Sequence, residues 1–395
     1  MWAHFAAGAS FQNISPILPL ITEEYGISHT TASLLMGVVM IISGAFGLPA
    51  GIIVGRLGLW RTYTAGWFMM GLLTLAALSP GFEGLLALRI AYGLGMAVMM
   101  PATGPLIMQW FRPKELPIIT SVNVAVMSLG IVVSVSTAAP LSGIISWEKV
   151  LGLFGGIGLA GAFAWLLWGK AKEGVGDMAA SFTWEEVRAV LRNRTILLLG
   201  LADASCFSMY IALSGWLPTF YNETRGMSLT EAGFIVGLLP FTGIFAVLLG
   251  GFLPLKMRSR RTFFIVPGVL AGVGALGSFL IDNTAITYAS VTILGLGSWL
   301  YIPTLLTLPM ELPEMTPKRV ALAWGWIMTA SGIGTFASPL VVGAMRDSLG
   351  TFVPGFLVFG AVAWFLVVAG FLLPKAGPRK AQLPGPEAPS TPIQE

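Results

Sequence analysis

Apolar residues fill this chain in long runs, separated by short polar stretches that are mostly basic. Twelve runs can be marked, at about 1–21, 31–54, 62–80, 84–109, 117–144, 150–168, 195–221, 231–254, 262–281, 284–309, 319–345 and 351–373. Runs of about 18 or more residues with few charges mark helices that cross a bilayer. The pattern therefore predicts an all-α polytopic membrane protein with twelve transmembrane helices. The first run starts at Met1 without a basic lead-in or a small-residue cleavage site, so it reads as a span and not as a cleaved signal. The longest polar interruption, 169–194, reads as a linker, and its TWEEVRAVLRN portion predicts an amphipathic surface helix. The Pro-rich end, 374–395, reads as a disordered tail.

Laid over itself with a shift of about 200 residues, the chain repeats. TEEYGISHTTASLLMG (22–37) falls on NETRGMSLTEAGFIVG (222–237), matching Glu23 with Glu223, Gly26 with Gly226, Ser28 with Ser228 and Gly37 with Gly237. GIIVGRLGLWRT (51–62) falls on GFLPLKMRSRRT (251–262), matching Gly51 with Gly251, Arg56 with Lys256 and Arg61 with Arg261. GLGMAVMMP (93–101) falls on GLGSWLYIP (295–303). Two parallel six-helix bundles, 1–168 and 195–373, follow from this order of matches. They are pseudo-symmetric.

Composition narrows the class. Only 10% of residues are charged, where soluble domains carry roughly a quarter, so water-soluble domains are excluded. One cysteine, Cys206, and two histidines, His4 and His29, supply neither a disulfide nor a metal cluster. No metal and no cofactor is expected. The basic residues need no nucleic-acid partner, because their placement follows topology. One set of loops holds Arg56, Arg61, Arg112, Lys114, Lys170, Lys172, Arg188, Arg192, Arg194, Lys256, Arg258, Arg260, Arg261, Lys318 and Arg319, and the tail adds Lys375, Arg379 and Lys380. The opposite loops hold only Lys149, Arg225 and Arg346. This bias predicts that the basic face and both termini are cytoplasmic.

The turn Gly51-x-x-x-Gly55-Arg56-x-Gly58-x-x-Arg61 resembles the loop motif of the major facilitator superfamily, with Gly55 where that family usually has aspartate. In the second copy Leu255 and Arg258 replace the acid and the second glycine. LLALRIAYGLG (85–95) is similar to the family's Arg-x-x-x-Gly signature, and Ala139-Pro140-Leu141-Ser142-Gly143 weakly resembles its antiporter motif. GWLPTFYNETRGMSLTEAG (215–233) loosely resembles cyanate/nitroimidazole-type and organic-anion carriers. The resemblance implies a monomeric secondary transporter of the inner membrane, working by alternating access about a midplane site. It also implies that spans one, four, seven and ten line the cavity, and that Gly51, Arg56, Gly58, Arg61, Gly251, Lys256 and Arg261 gate its cytoplasmic side.

Charges inside spans mark candidate chemistry, since each needs a partner or a wet cavity. Arg89 lies roughly 9 Å deep in span four and Asp203 roughly 12 Å deep from the other face in span seven. Across a core of about 30 Å these levels do not meet in a direct bridge. Asp203 reads either as a proton-coupling site, or as a carboxylate satisfied by Ser205, Ser208 or backbone. Arg89 reads either as a fork for carboxylate or phosphate, or as a structural residue. In span one, Pro16 and Pro19 should break the helix and free carbonyls. Gln12 and Asn13 beside that break, with Asn123, Tyr92, Tyr210, Trp299, Tyr301 and Trp326, are candidate solute contacts, against interhelical bonding or interfacial anchoring. Trp324 is a further candidate cavity wall.

The expected function is secondary transport of a small polar or anionic organic solute, with proton coupling through Asp203. The alternative is a drug or multidrug efflux proton antiporter, disfavoured by the degraded antiporter motif and the scarcity of membrane acids. An enzyme is not expected, since no span supplies a base for a serine such as Ser214: His4 is at the chain start and His29 in an outer loop. ATP-driven transport is unsupported, because no phosphate-cradling Gly-x-x-x-x-Gly-Lys loop is present.

Overall fold

The structure, a computed structural model, describes residues 1–112, 115–171, 184–257, 259–312, 315 and 317–373. The tail 374–395 and most of the linker lie outside the described residues. Every regular element is helical among the described residues. Ten spans are long apolar helices, such as His29–Leu57, Gly81–Met108, Leu116–Ser142 and Arg194–Arg225. Spans one and three are interrupted short of that length, while span ten turns at Tyr301 between Thr284–Leu300 and Ile302–Glu311 and span twelve turns at Trp364. Span three runs as an α-helix over Leu59–Gly71 and tightens to a 3-10 helix over Leu72–Leu78. The linker helix forms at Trp184–Arg192, with Val190 buried against Ile196, Leu322 and Ala323.

Span one breaks where its prolines predict. Pro16 has no N–H to give to the carbonyl four residues earlier. The helix Trp2–Phe11 stops, a 3-10 turn covers Ser15–Ile17, and Leu18–Tyr25 resumes the span. Within the break the Ser15 amide donates to the Gln12 carbonyl at 3.1 Å and the Ile17 amide to the Ile14 carbonyl at 3.2 Å. These tighter bonds leave carbonyls at the end of the first segment in need of other donors.

The internal repeat is written in turns and crossings. Gly26 and Gly226 end spans one and seven with φ of 58° and 65°, left-handed values that glycine reaches without strain. Ser28 and Ser228 then start the next helices, their hydroxyls accepting from the Thr31 amide at 3.1 Å and the Glu231 amide at 3.2 Å. Gly95 and Gly297 let span four close on span three, and span ten on span nine. A Cβ at Gly95 would stand 2.7 Å from the Gly66 carbonyl oxygen, and one at Gly297 would stand 2.3 Å from the Ala271 nitrogen.

Spans two and eleven cross with little between their backbones. A Cβ at Gly44 would lie 3.2 Å from the Gly332 Cα, and one at Gly332 would lie 3.2 Å from the Gly44 Cα. Span eight meets span five similarly, with Gly237 against Ser136 and Gly233 against the Val135 carbonyl.

Overpacking a tight crossing costs about 1–3 kcal/mol. Gly95→Val and Gly297→Val should therefore each lower the unfolding temperature of the purified protein. Gly251→Ala, at a site with nothing within 4 Å, should leave it unchanged. Equal thermal shifts in all three would contradict the packing described.

Candidate functional site

Arg89, fully buried in span four, meets the break in span one. Its Nε donates to the Leu35 carbonyl at 2.8 Å, and its two terminal nitrogens donate to the carbonyls of Ser10 at 2.7 Å and Phe11 at 3.0 Å. Its guanidinium also lies 5.4 Å from the ring centroid of Tyr92, whose hydroxyl donates to the Ala7 carbonyl at 2.5 Å. One fork thus ties span four to spans one and two. No carboxylate pairs with Arg89 among the described residues, so its charge is solvated by dipoles and is not cancelled.

Asp203 has different partners from the ones the sequence offered. Ser205 and Ser208 donate to the carbonyls of Ala202 and Ala204 within their own helix. The Asp203 carboxylate instead accepts from the Tyr301 hydroxyl at 2.8 Å and from the Ser331 hydroxyl. Spans seven, ten and eleven meet there, at the break between Thr284–Leu300 and Ile302–Glu311. Arg89 and Asp203 share no partner, as their depths imply.

The remaining candidates divide into two places. Gln12 bridges to the second half, its amide nitrogen donating to the Ser214 hydroxyl at 2.9 Å, and Ser15 donates to the carbonyls of Ser214 and Gly215 at 2.7 and 2.8 Å. Between them Phe11, Gln12, Ile14, Ser15, Met36 and Gly215 help to enclose a cavity of about 20 Å³, room for one water. Asn13 is wholly buried, and neither atom of its amide has a partner among the described residues. Tyr210 stacks on Phe207 at 5.6 Å and stands edge-on to Trp299, also at 5.6 Å. Trp326 packs its indole against Gly200, close to Asp203 along span seven. Its indole nitrogen has no partner among the described residues. Asn123 belongs elsewhere: with His4, Tyr63, Trp67 and Trp165 it lines a cavity of about 600 Å³ on the basic face.

The described side chains of Arg61 and Arg261 make no bond from one half to the other. Arg261 donates to the Leu373 carbonyl at 2.6 Å, inside its own half, and Arg61 is exposed. Gly58 holds a left-handed φ of 78° as it starts span three, and Gly251 lies in open space. The side chains of Arg56 and Lys256 lie outside the described residues. The polar clasp that sequence reasoning missed is at the opposite face. There His29 contacts Asp347 and Glu223, and the Ser33 hydroxyl donates to the Pro339 carbonyl at 2.8 Å. His29 and Asp347 are 318 residues apart, and no local pattern pairs them.

A helical membrane protein with broken spans and buried charges on spans four and seven is a carrier by architecture. Comparison gives the family. Residues 1–315 match the model of the Major Facilitator Superfamily. The chain is 24% identical to the nitrite extrusion protein of Bacillus subtilis, across 91% of this chain and 88% of that one. It is 23% identical to the hexuronate transporter of the same organism, across 92% and 91%. Its fold is similar to that of a bacterial homologue of the human lysosomal transporter Spinster, with a TM-score of 0.73, 17% identity and 93% of each chain covered. The chain belongs to the major facilitator superfamily and is a multi-pass membrane transporter, not an enzyme.

Lysine is a point charge without Arg89's fork and cannot reach all three carbonyls. Hydrogen bonds to charged groups are each worth about 1.5–3 kcal/mol. Arg89→Lys should therefore lower stability by at least about 2 kcal/mol, read as a shift in the denaturation midpoint. An unshifted midpoint would remove Arg89 from the support of span one.

Proposed function

We propose that this protein carries a small polar or anionic organic solute across the inner membrane by alternating access, coupled to protons through Asp203. The observation that carries the anion preference is Arg89. Without a carboxylate partner among the described residues, it holds the Phe11 carbonyl, and Phe11 and Gln12 line the small cavity between the halves. A buried cation without a counter-ion leaves an attractive potential for an anion entering from the cavity side. Relatives named for nitrite and hexuronate, both anionic, support the same reading. A drug efflux antiporter is supported less well, since a lipophilic cation would meet Arg89's field with the wrong sign.

The proposed site is the wall around these groups. Asn13, with both amide atoms unpartnered, supplies donor and acceptor to the solute. Gln12 exchanges its bond with Ser214 for one to the solute, and Tyr92 backs Arg89. Tyr210, Trp299 and Trp326 form the apolar side, with indole N–H groups to give. Arg89 acts through its field and through the backbone it holds. The bias of the loops supports a cytoplasmic basic face and cytoplasmic termini, with the basic turns as hinges and the protein working as a monomer.

Proton coupling rests on Asp203 and its two hydroxyl partners. Ionised, the carboxylate can only accept, and Tyr301 and Ser331 both donate to it. Protonated, it gains an O–H to donate, so one of those hydroxyls can reverse its bond and accept. Spans seven, ten and eleven thereby read the proton as a change in how they are tied together.

In proteoliposomes, Asp203→Asn should abolish accumulation of a small carboxylate driven by a pH gradient, with a loss of at least about tenfold. Solute exchange at equal pH should persist. Undiminished pH-driven uptake in this variant would dispose of the coupling role. Uptake of lipophilic cations in place of carboxylates by the parent protein would overturn the solute class.

A further inference from the structure

The face opposite the basic turns is closed by a cluster that the transport reading above does not use. His29, the first residue of the second span, reaches across to two carboxylates of the other half. Its Nδ1 lies 2.9 Å from an Asp347 oxygen and its Nε2 lies 3.2 Å from a Glu223 oxygen. The same Asp347 carboxylate accepts from the His29 amide at 3.0 Å, the Thr30 amide at 2.8 Å and the Thr30 hydroxyl at 2.6 Å. Asp347 thus caps the start of the second span from the far side of the interface, where an anion also suits the helix dipole. Arg346 donates through two nitrogens to the other Glu223 oxygen, at 3.2 and 2.9 Å. Beside the imidazole stand the uncharged rings of Trp216 and Phe352, each with its centroid 5.5 Å away.

Both ring nitrogens face carboxylate oxygens, and a carboxylate ion offers no proton. A neutral imidazole has one N–H and would set a lone pair against an anion, whereas the imidazolium donates on both sides. The charges agree. Glu223 and Asp347 bring two negative charges and Arg346 one positive charge. The ring proton brings the closed cluster to neutrality. Histidine is also the side chain whose ordinary titration falls between about pH 5 and pH 8.

We infer that His29 is a proton-operated latch: charged, it ties the two halves together at this face through Glu223 and Asp347, and uncharged it lets them part. The closed arrangement holds one more proton than the open one, so acid at this face favours closure and alkali favours opening. This rests on the alternating-access reading and adds a second proton-sensitive group to it, separate from Asp203. By the loop bias this face looks away from the cytoplasm, so the latch would sample the external pH.

The test is the distance between spin labels on Glu83→Cys and Thr284→Cys, which sit at this face on spans four and ten. The background is full-length Cys206→Ala, reconstituted in lipid. Counterflow of a small carboxylate is measured first on the labelled protein. Its absence would count against the carboxylate as solute, and the pH response of the distance would still decide the latch. The distance should lengthen by several ångströms between about pH 5.5 and about pH 8.5, spanning histidine's range. His29→Gln should abolish that response. Glu223→Gln, which removes one of the two carboxylates, should lower its midpoint by about one pH unit and serves also if His29→Gln does not fold. A distance that ignores pH would overturn the latch. So would a response that keeps its midpoint in both variants.

Discussion

A peptide carbonyl inside a bilayer has no water to bond, so a span that breaks must bring its own donors. Span one breaks at Pro16, and the donors come from Arg89 on another helix. Its fork reaches Ser10, Phe11 and Leu35 together, which fixes where spans one, two and four stand. The small cavity between Phe11, Gln12 and Gly215 is framed by the same break. Without the arginine the Ser10 and Phe11 carbonyls would lose their donors, and without the break the arginine would keep only the Leu35 carbonyl and the Tyr92 ring. Each supports the other.

The second half solves a similar problem with the opposite sign. Its buried charge is the Asp203 carboxylate, and its donors are hydroxyls of Tyr301 and Ser331. Guanidinium donors cannot be given up at neutral pH, whereas a carboxylate can gain a proton and reverse the direction of a hydrogen bond. The first half therefore holds a permanent field and the second a changeable one. Pseudo-symmetric in turns and crossings, the halves are unlike in whether their buried charge can change, which is what the proposed proton coupling would use.

How much of this was legible in the sequence depends on what kind of interaction produced it. The spans were legible because burial in lipid demands length and apolarity from consecutive residues. Gly26 and Gly226 were legible as a repeat, and their left-handed φ explains why both positions hold glycine. The break at Pro16 was legible because one missing N–H causes it. The 3-10 stretch Leu72–Leu78 was not, since no proline marks it. Arg89 and Asp203 stood out as charges in apolar runs, yet their partners did not. Tyr301 is 98 residues and Ser331 128 residues from Asp203. Ser205 and Ser208, the near candidates, bond to their own helix instead. His29, Glu223 and Arg346 looked like ordinary loop residues, because only tertiary contact makes them a cluster with Asp347.

The bare crossing of Gly44 and Gly332 has a mechanical consequence. At the crossing itself no side chain stands between the two glycines, so spans two and eleven bear on one another there backbone to backbone. His29 and Asp347 each lie about 15 residues from that bearing along their own helices, a lever arm of roughly 22 Å. A rocking of about 15°, typical of rigid-body switches, would swing the far end of such an arm by roughly 6 Å. Hydrogen bonds do not stretch that far, so the bonds of the cluster must let go together. Leverage of this kind turns a gentle rotation at the crossing into an abrupt decision at the rim.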